Sequence, residues 1–213
     1  MGISPEHLVE VNLAQSVSET DSFTLERYAQ FLRNFPEDAR DVLDIGCNTG
    51  RGGALLKSRN PRLRITGLDC VPDRLDKLPT GVYDGAICGF ADDIALPDAS
   101  FDVIVLGEII EHIPGPSISP SLHELFRLFR LRGRILLTTP NPHYLRNRLQ
   151  NKSVLLDSSH VSQHTPSSMR RKLEDASFSN IRIFGSGRLT RTLGQHFPLL
   201  SAYGSYLAMG DKW

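Results

Sequence analysis

The sequence predicts an α/β fold in which a mostly parallel sheet lies between layers of helices. Two observations support this prediction. Short apolar runs alternate along the chain with helical patterns, which favours an α/β sandwich over an all-helical or all-strand fold. The first five runs are apolar nearly throughout, as is typical of parallel strands buried on both faces.

Seven strands and four helices can be placed in chain order from these patterns. The strands are expected at residues 41–46, 63–69, 83–90, 101–107, 133–139, 180–187 and 205–213. The helices are expected at residues 21–35, 50–60, 119–130 and 165–178. Asp21 can cap the first helix, and Thr165 followed by Pro166 fits an N-cap and first-turn pair for the last. Gly133 follows the third helix, where the chain must turn back.

The length of 213 residues and the 40% hydrophobic content fit one globular domain with a substantial core. We expect a single domain over residues 21–213. Residues 1–20 have weak periodicity and are predicted to form a flexible lid or tail. Residues 140–164 are polar and irregular, and are expected to form an insertion that shapes an acceptor site.

Composition argues against several classes of protein. The formal net charge is zero, so bulk charge gives no reason to expect a nucleic-acid or membrane-surface protein. Cys47, Cys70 and Cys88 are odd in number and lack C-x-x-C spacing, which indicates neither a disulfide framework nor a zinc site. No apolar run approaches the ~20 residues that cross a bilayer. These features predict a soluble cytoplasmic protein.

Charge is nevertheless distributed unevenly along the chain. Residues 78–126 contain eight acidic residues and no Lys or Arg, whereas residues 127–172 contain ten basic residues and one acid, Asp157. Such asymmetry suggests a site that meets a cation on one side and an anion on the other. The alternative is a set of solvated helix faces.

The segment "VLDIGCNTGRGG" at residues 42–53 indicates a ligand-binding turn. A buried strand ends near Asp44, a turn runs through Gly46 and Gly50, and a helix begins. Small residues let a cofactor approach the backbone, and the carboxyl edge of an open parallel sheet is where ligands bind. The turn reads G-C-N-T-G around Asn48, which does not fit the G-x-G-x-x-G spacing of a dinucleotide site.

This turn resembles motif I of the class I S-adenosylmethionine-dependent methyltransferases, a D-x-G-x-G-x-G-like loop whose middle glycine is sometimes replaced. Asn48 stands at that position, and Asn tolerates positive φ. The stretches "GFADDIALPDASFDVIVLGEIIEHI" and "FRLFRLRGRILLTTPNP" resemble later segments of the family, although Leu131-Arg132 replaces the usual Lys-Pro turn. The resemblance implies a Rossmann-like sandwich, with helices on both faces of a mostly parallel seven-stranded sheet whose last strand is antiparallel.

The same resemblance implies S-adenosylmethionine as the cofactor. Asp69 ends the second strand, where a carboxylate can accept both ribose hydroxyls, and Asp92 is expected near the adenine amino group. The residues expected to bind the cofactor are Asp44, Gly46, Cys47, Asn48, Gly50, Asp69, Cys70, Asp92, Asp93 and Glu108. Alternatively, the aspartates only cap turns, and Cys47 is a small filler rather than a nucleophile.

The segment "GEIIEHI" places Glu108, Glu111 and His112 directly after the fourth strand. If the chain is helical there, positions i, i+3 and i+4 share one face, and the three side chains point into one cleft. Two carboxylates and an imidazole suit a divalent cation such as Mg²⁺, with His160 or His164 as a further ligand.

The E-x-x-E-H pattern resembles that of the ubiquinone-biosynthesis O-methyltransferases and of the small-RNA 2′-O-methyltransferases. In the latter group a metal holds the acceptor hydroxyls, and such an ion would lower the pKa of the attacking oxygen. Without a metal, His112 could act as the general base, with its pKa raised by Glu108 or Glu111. A third interpretation is that these residues order the loop and contact the cofactor.

The insertion and its "HVSQHT" stretch resemble methyltransferases encoded with bacterial polysaccharide-biosynthesis enzymes. Arg146, Arg148 and Lys152 favour an acceptor that bears phosphate, such as a nucleotide sugar or lipid-linked glycan, although each could be an exposed helix residue. The leading hypothesis is therefore O-methylation of a sugar, a glycan or another small hydroxylated acceptor.

Three alternatives remain at this point. An RNA 2′-O-methyltransferase would use the Glu/Glu/His trio to bind metal, but the chain lacks a clear basic-aromatic RNA surface. A noncatalytic adenosyl-binding module and a dinucleotide-dependent oxidoreductase are the others.

Overall fold

One seven-stranded sheet organises the protein. The structure is a computed structural model, and it describes residues 5–13, 23–157 and 159–213. Its strands are β1 (Asp41–Ile45), β2 (Arg64–Asp69), β3 (Gly85–Cys88), β4 (Phe101–Gly107), β5 (Phe129–Pro140), β6 (Ser179–Ser186) and β7 (Ser205–Asp211). Their order is β3-β2-β1-β4-β5-β7-β6.

The strand pairings confirm the predicted mostly parallel sheet. All pairs among β1 to β5 are parallel, whereas β7 is antiparallel to both β5 and β6. The chain moves outward from β1 in one direction through β2 and β3, and in the other direction through β4. This reversal separates the loops that follow β1 and β4, and it opens a crevice at the carboxyl edge of the sheet.

Helices and single turns connect the strands. The helices are α1 (Pro5–Leu13), α2 (Thr24–Leu32), α3 (Arg51–Arg59), α4 (Pro72–Leu75), α5 (Gly115–Leu128), α6 (Leu145–Leu149), α7 (Pro166–Asp175) and α8 (Thr190–Leu193). Turns of 3₁₀ helix lie at Ile110–His112, Val154–Leu156 and Leu200–Ala202. Within the described ranges, no helix is long and apolar enough to cross a membrane.

The two faces of β4 show why its sequence is apolar nearly throughout. Ile104 belongs to a core that includes Leu125 of α5, whereas Val105 belongs to a second core that includes Leu56 of α3. Successive side chains of a strand point to opposite faces, so a strand covered by helices on both sides has no solvent-facing position to fill with polar residues. The expected helices on both faces are therefore confirmed.

Several predicted boundaries are corrected. The third predicted helix begins at Gly115 and ends at Leu128, and β5 starts at once with Phe129. Gly133 is not a turn after the helix but a buried residue inside β5, where a Cβ would lie 2.6 Å from Cδ1 of Phe129. Arg132, with a φ of +67°, takes the left-handed conformation just before it.

Two predicted helix caps have different outcomes. Asp21 lies outside the described residues, and α2 begins at Thr24 without a side-chain cap from Phe23. Thr165 is confirmed as the cap of α7, since its Oγ1 accepts a hydrogen bond from the Ser168 amide at 3.1 Å.

Arginines at the start of the basic segment are paired within the protein. Arg127 forms an ion pair with Glu124 at 2.6 Å, and Arg130 pairs with Asp102 at 2.9 Å. The first pair lies within α5, and the second joins the amino ends of β4 and β5, at the edge of the sheet opposite the crevice. Part of the charge asymmetry along residues 78–172 is therefore used in internal pairing rather than in ligand binding.

Candidate active site

A cavity of about 870 Å³ lies at the carboxyl ends of β1, β2 and β4. Its volume is within the range of about 300–1,000 Å³ that is usual for small-molecule sites. The sequence-predicted residues that line it are Gly46, Cys47, Asn48, Asp69, Cys70, Asp92, Glu108, His112 and His160. The predicted residues that lie outside its lining are Asp44, Gly50, Asp93, Glu111 and His164.

The loop after β1 is left-handed at three positions. Gly46, Asn48 and Gly50 have φ values of +68°, +50° and +84°. Asn48 thus occupies the conformation for which Asn was expected to be tolerated. A Cβ on Gly46 would lie 2.1 Å from Cδ1 of Ile109, and one on Gly50 would lie 2.6 Å from Pro79. The left-handed backbone and the close neighbours both require glycine at positions 46 and 50. This requirement is independent of whether a cofactor approaches the backbone there.

Asp44 lies behind the loop, where the sequence had predicted a cofactor contact. It is fully buried, and its carboxylate oxygens accept hydrogen bonds from the hydroxyls of Tyr28 at 2.5 Å and Tyr83 at 2.7 Å. Burial raises the pKa of Asp44 to about 6, against the opposing effect of the two hydroxyl groups. Asp44 therefore anchors α2 to β1 and does not reach the cavity.

Asp69 has the geometry that a ribose-binding carboxylate needs. Its Oδ2 accepts from the Asn48 amide at 2.9 Å, and its Oδ1 accepts from the Val71 amide at 3.0 Å. A carboxylate can accept about four hydrogen bonds, so capacity remains for two hydroxyl groups from the cavity side. Arg74 lies 3.6 Å from Oδ1 and balances the buried charge.

The loop after β3 forms the neighbouring wall. Gly89, Phe90, Ala91 and Asp92 line the cavity, and the exposed Asp92 carboxylate is able to accept from an adenine amino group. Asp93 is exposed and lies outside the lining. The residues that remain on the cavity wall fit an adenosine, because they combine a ribose acceptor, an aromatic side chain and a second carboxylate.

Glu108 lines the cavity directly after β4, and its backbone is strained. Its φ is +59°, an uncommon value for a residue with a side chain, and its amide donates to the Thr138 carbonyl at 3.1 Å. Ser205 Oγ donates to Oε2 at 3.4 Å, and Arg27 Nε lies 3.8 Å from Oε1. The bond to β5 thus holds the backbone of Glu108, while residues of β7 and α2 lie against its carboxylate at the edge of β4.

The expectation that Glu108, Glu111 and His112 share one helical face is wrong. The positive φ at Glu108 redirects the chain, and Ile110–His112 forms a 3₁₀ turn instead of an α-helix. Glu108 and His112 line the cavity, while Glu111 is fully buried behind it.

Glu111 connects three parts of the site. Thr139 Oγ1 donates to its Oε2 at 3.0 Å, and its carbonyl accepts from the amides of Val161 and Ser162 at 3.0 Å each. Among the described residues its Oε1 has no hydrogen-bond partner. Burial and the nearby Glu108 charge raise the pKa of Glu111 well above its usual range, which favours a protonated carboxyl.

His112 is held in one tautomer. Its Nδ1–H donates to the Ser159 carbonyl at 2.9 Å, which leaves the lone pair on Nε2. Burial lowers the pKa of His112 to about 4, and the adjacent His160 ring, 5.0 Å away between centroids, contributes in the same direction. The prediction that Glu108 or Glu111 raises this pKa is therefore wrong, because desolvation of the imidazolium outweighs the raising effects, which come from the Ser159 carbonyl and Asp157.

The five predicted metal ligands separate into two groups. Ligand atoms of Glu111, His112 and His160 all lie within 4.8 Å of one another, whereas Glu108 and His164 are not part of this cluster. His160 Nδ1–H donates to the Val154 carbonyl at 2.8 Å, so its Nε2 also carries a lone pair. Two imidazoles and one carboxylate suit a borderline ion such as Zn²⁺ or Fe²⁺ better than Mg²⁺.

His164 has a structural position. Ser162 Oγ lies 2.9 Å from its Nε2, and Tyr206 donates a hydrogen bond from its hydroxyl to the His164 carbonyl at 3.0 Å. Burial lowers the pKa of His164 to about 4. It is thus buried at the end of the insertion and is not part of the cavity lining.

Several residues of the site were not predicted from the sequence. Leu8, Val11 and Asn12 of α1 line the cavity, and Arg74 donates from Nη2 to the Asn12 carbonyl while contacting Asp69. The Pro72 start of α4, two residues before Arg74, was the only local signal for this side chain. A lid function for residues 1–20 stays a prediction.

Comparisons with known proteins place this geometry in a family context. Residues 20–183 match the family described as "Methyltransferase domain". The chain is 28% identical over 134 residues to a malonyl-[acyl-carrier protein] O-methyltransferase of Laribacter hongkongensis, covering 57% of this chain and 44% of that protein. It is 33% identical over 114 residues to a ubiquinone biosynthesis O-methyltransferase of Xanthomonas axonopodis pv. citri, covering 50% and 45%.

A solved structure agrees with the fold. The S-adenosylmethionine-dependent methyltransferase of Archaeoglobus fulgidus superposes with a TM-score of 0.70 at 20% identity, covering 97% of this chain and 99% of that one. The chain spans less than half the length of each of the two curated relatives described above.

Proposed function

The chain belongs to the S-adenosylmethionine-dependent methyltransferase family, and we propose that it methylates a hydroxyl oxygen of a small acceptor that meets His112. The observation that carries this proposal is the shared cavity. Asp69 and the β1 loop lie on its cofactor side, and the Nε2 lone pair of His112 lies on the other side of the same space.

The cofactor, when bound, supplies an electrophilic methyl group on a sulfonium. Asp69 would accept hydrogen bonds from its ribose, and Asp92 would accept one from its adenine amino group. His112 Nε2 would take the proton of the acceptor hydroxyl while its oxygen bonds to the methyl carbon and the methyl–sulfur bond breaks, which leaves a neutral thioether. The Ser159 carbonyl, which accepts from Nδ1–H, then stabilises the imidazolium, and the carboxylate of Asp157 adds to this effect.

The low pKa of His112 has a defined consequence for this role. A pKa of about 4 makes the imidazole a weaker base than a free histidine, but it keeps the ring neutral at physiological pH. Positioning within reach of the hydroxyl is then the main contribution of the residue, since proximity can supply a large part of a rate enhancement.

The acceptor side of the cavity favours a hydroxylated small molecule. Ser117, Asp157, Ser159 and His160 contribute hydroxyl, carboxylate and imidazole groups to its lining. Such groups exchange hydrogen bonds with sugar hydroxyls. Both curated relatives described above are O-methyltransferases by name, which supports oxygen as the acceptor atom.

Phosphate recognition by Arg146, Arg148 and Lys152 has less support than the sequence indicated. All three side chains are exposed and lie outside the cavity lining. A phosphate on the acceptor would have to extend out of the cavity to meet them. RNA is disfavoured as well, because Arg27 and Arg74 of the cavity wall pair with Glu108 and Asp69, while Asp92 and Asp157 add acidic groups that repel a phosphate backbone.

Transfer of a labelled methyl group to a panel of acceptors tests the proposal. The panel contains nucleotide sugars, simple glycosides, small carboxylic acids and RNA oligonucleotides, each assayed with and without a chelator. We expect labelling of a hydroxylated compound, with a strong loss in His112→Ala and normal binding of S-adenosylhomocysteine. His123→Ala, at an exposed histidine of α5, is the matched control. Exclusive labelling of RNA, or a base-labile methyl ester on a carboxylic acid, would defeat the proposal.

A further inference from the structure

The chain segment between β5 and the cavity-lining Asp157 presents an exposed surface. It is formed by α6 and by the 3₁₀ turn at Val154–Leu156, and we name it the leucine-cation surface. Its members are Leu145, Leu149, Leu155 and Leu156 together with Arg146, Arg148 and Lys152. The leucine side chains are 50%, 77%, 46% and 70% exposed.

The exposure of these leucines is a property of an ordered segment. The Lys152 amide donates to the Asn147 carbonyl at 2.8 Å, and the Asn151 amide donates to the Arg148 carbonyl at 3.2 Å. Val154 is buried, and its carbonyl accepts from His160 Nδ1–H. Backbone bonds and one buried side chain therefore fix a segment that still presents four leucines to solvent. Single exposed leucines are ordinary, but a cluster of this kind marks an interaction surface.

The charges of the same segment are all positive. The sequence contains no acidic residue between Glu124 and Asp157. Arg127 and Arg130 earlier in the segment pair with carboxylates, whereas Arg146, Arg148 and Lys152 have no carboxylate partner among the residues that the structure describes. The net charge of zero for the whole chain conceals this local excess of cations.

The combination of apolar and cationic groups defines the occupant. Leucine side chains insert into the boundary between headgroups and acyl chains, and arginine and lysine bind anionic headgroups beside them. A second copy of the chain fits poorly, because a two-fold contact would place this surface against itself and bring six cations together. We propose that the leucine-cation surface docks the protein peripherally on an anionic phospholipid membrane.

The position of the surface gives the docking a role. Leu156 is followed directly by Asp157, and Asp157, Ser159 and His160 line the cavity. Docking would therefore hold the acceptor side of the cavity near the lipid headgroups, where an acceptor carried on an amphiphile is presented. The docking itself depends on the surface and not on the identity of the acceptor, so it is measurable without any methyl transfer.

Flotation with lipid vesicles tests the proposal. The full chain is mixed with vesicles of phosphatidylglycerol and phosphatidylcholine, or of phosphatidylcholine alone, at low and at high salt. We expect flotation with the anionic vesicles only, and weakening by salt. The pair Leu149→Ser and Leu156→Ser, and separately the triple change Arg146→Gln, Arg148→Gln and Lys152→Gln, should each reduce binding at least about tenfold.

Matched variants elsewhere on the surface serve as controls. Leu131→Ser removes a 74% exposed leucine from the opposite end of β5, and Arg59→Gln with Arg62→Gln and Lys77→Gln removes three exposed cations from another region. Both should bind vesicles as the unchanged protein does. Binding of S-adenosylhomocysteine by every variant checks that the fold is intact.

Three results would overturn the proposal. The first is equal flotation with anionic and neutral vesicles, or none with either. The second is an equal loss of binding in the control variants. The third is a concentration-dependent dimer that the two leucine changes abolish while vesicles remain unbound, which would assign the surface to a second copy of the chain.

Discussion

The Nδ1–H of His112 donates to the carbonyl of Ser159 across 2.9 Å, and this bond joins the turn after β4 to the insertion before α7. A carbonyl can only accept, so the bond fixes both the tautomer and the orientation of the ring. Burial has a second effect, because it lowers the pKa of His112 to about 4.

These two effects predict the pH dependence of methyl transfer. A free histidine titrates near pH 6.5, whereas His112 should stay neutral down to about pH 4. We expect kcat/KM to show no break near pH 6.5 from this residue, and to fall only as the pH approaches about 4. Initial rates in a constant-ionic-strength buffer series measure this. An acidic limb centred near pH 6.5 that disappears in His112→Gln would contradict the lowered pKa.

The buried carboxylate at the end of β2 provides a prediction about cofactor binding. Asp69→Asn replaces one acceptor oxygen by an amide that donates, so one of the expected ribose bonds is lost. A hydrogen bond to a charged group contributes about 1.5–3 kcal/mol, and we expect the Kd for S-adenosylhomocysteine to rise roughly tenfold to a hundredfold. Isothermal titration calorimetry measures the change.

Asp93, the residue after the cavity-lining Asp92, supplies a control for this measurement. Asp93→Asn changes an exposed carboxylate outside the cavity lining, and it should leave the Kd unaltered. Similar losses in Asp69→Asn and Asp93→Asn would mean that overall charge, and not a direct contact, governs cofactor affinity.

The raised pKa of Asp44 leads to a prediction of how the free energy of unfolding depends on pH. Its pKa is raised from 3.8 to about 6, so its contribution to stability is fully present below about pH 4 and is lost as the pH rises through about 6. The loss amounts to about 3 kcal/mol for a shift of this size. Asp44→Asn cannot ionise, and the free energy of unfolding of this variant should fall less between about pH 4 and pH 7 than that of the unchanged protein.

Urea unfolding at a series of pH values measures this difference. Asp38→Asn, at an exposed carboxylate in the loop before β1, is the control and should keep the pH dependence of the unchanged chain. Parallel curves for Asp44→Asn and the unchanged protein would show that the two tyrosine hydroxyl groups already compensate the buried charge.

The sequence predicted the strands better than the site, for physical reasons. Residues 101–107 were placed correctly because a strand covered on both faces must be apolar throughout, which is a local pattern. Asn48 was expected to tolerate positive φ for a reason that is equally local. The fold class followed from many such patterns and is confirmed.

Long-range contacts determine what the sequence could not show. Nothing in the residue type of Glu108 indicates its left-handed backbone, which occurs where its amide donates to Thr138 of another strand. Tyr28 and Tyr83 lie 16 and 39 residues from Asp44, and only the fold brings their hydroxyls to its carboxylate. Glu108, Glu111 and His112 were therefore recognised from their residue types. The sequence could not show that Glu108 and His112 line the cavity while Glu111 is buried behind it.

Substitutions of the buried Glu111 distinguish a structural role of its carboxyl group from a role as a metal ligand. Its raised pKa favours the protonated form, which Gln imitates in shape and in hydrogen-bonding capacity. We expect Glu111→Gln to change the free energy of unfolding by less than about 1 kcal/mol and to retain most of the methyl transfer, with a chelator having no effect on either protein. Glu111→Ala should unfold more easily, since Thr139 loses its acceptor and a cavity remains.

A bound cation would give the opposite pattern for these variants. Glu111 would then have to be ionised, and Glu111→Gln would lose activity together with the metal, as would His160→Ala, because all three ligand atoms lie within 4.8 Å of one another. Activity before and after chelation, metal content by elemental analysis, and urea unfolding of both Glu111 variants distinguish the two cases. A chelator-sensitive enzyme that Zn²⁺ or Mn²⁺ restores would contradict the protonated, structural Glu111.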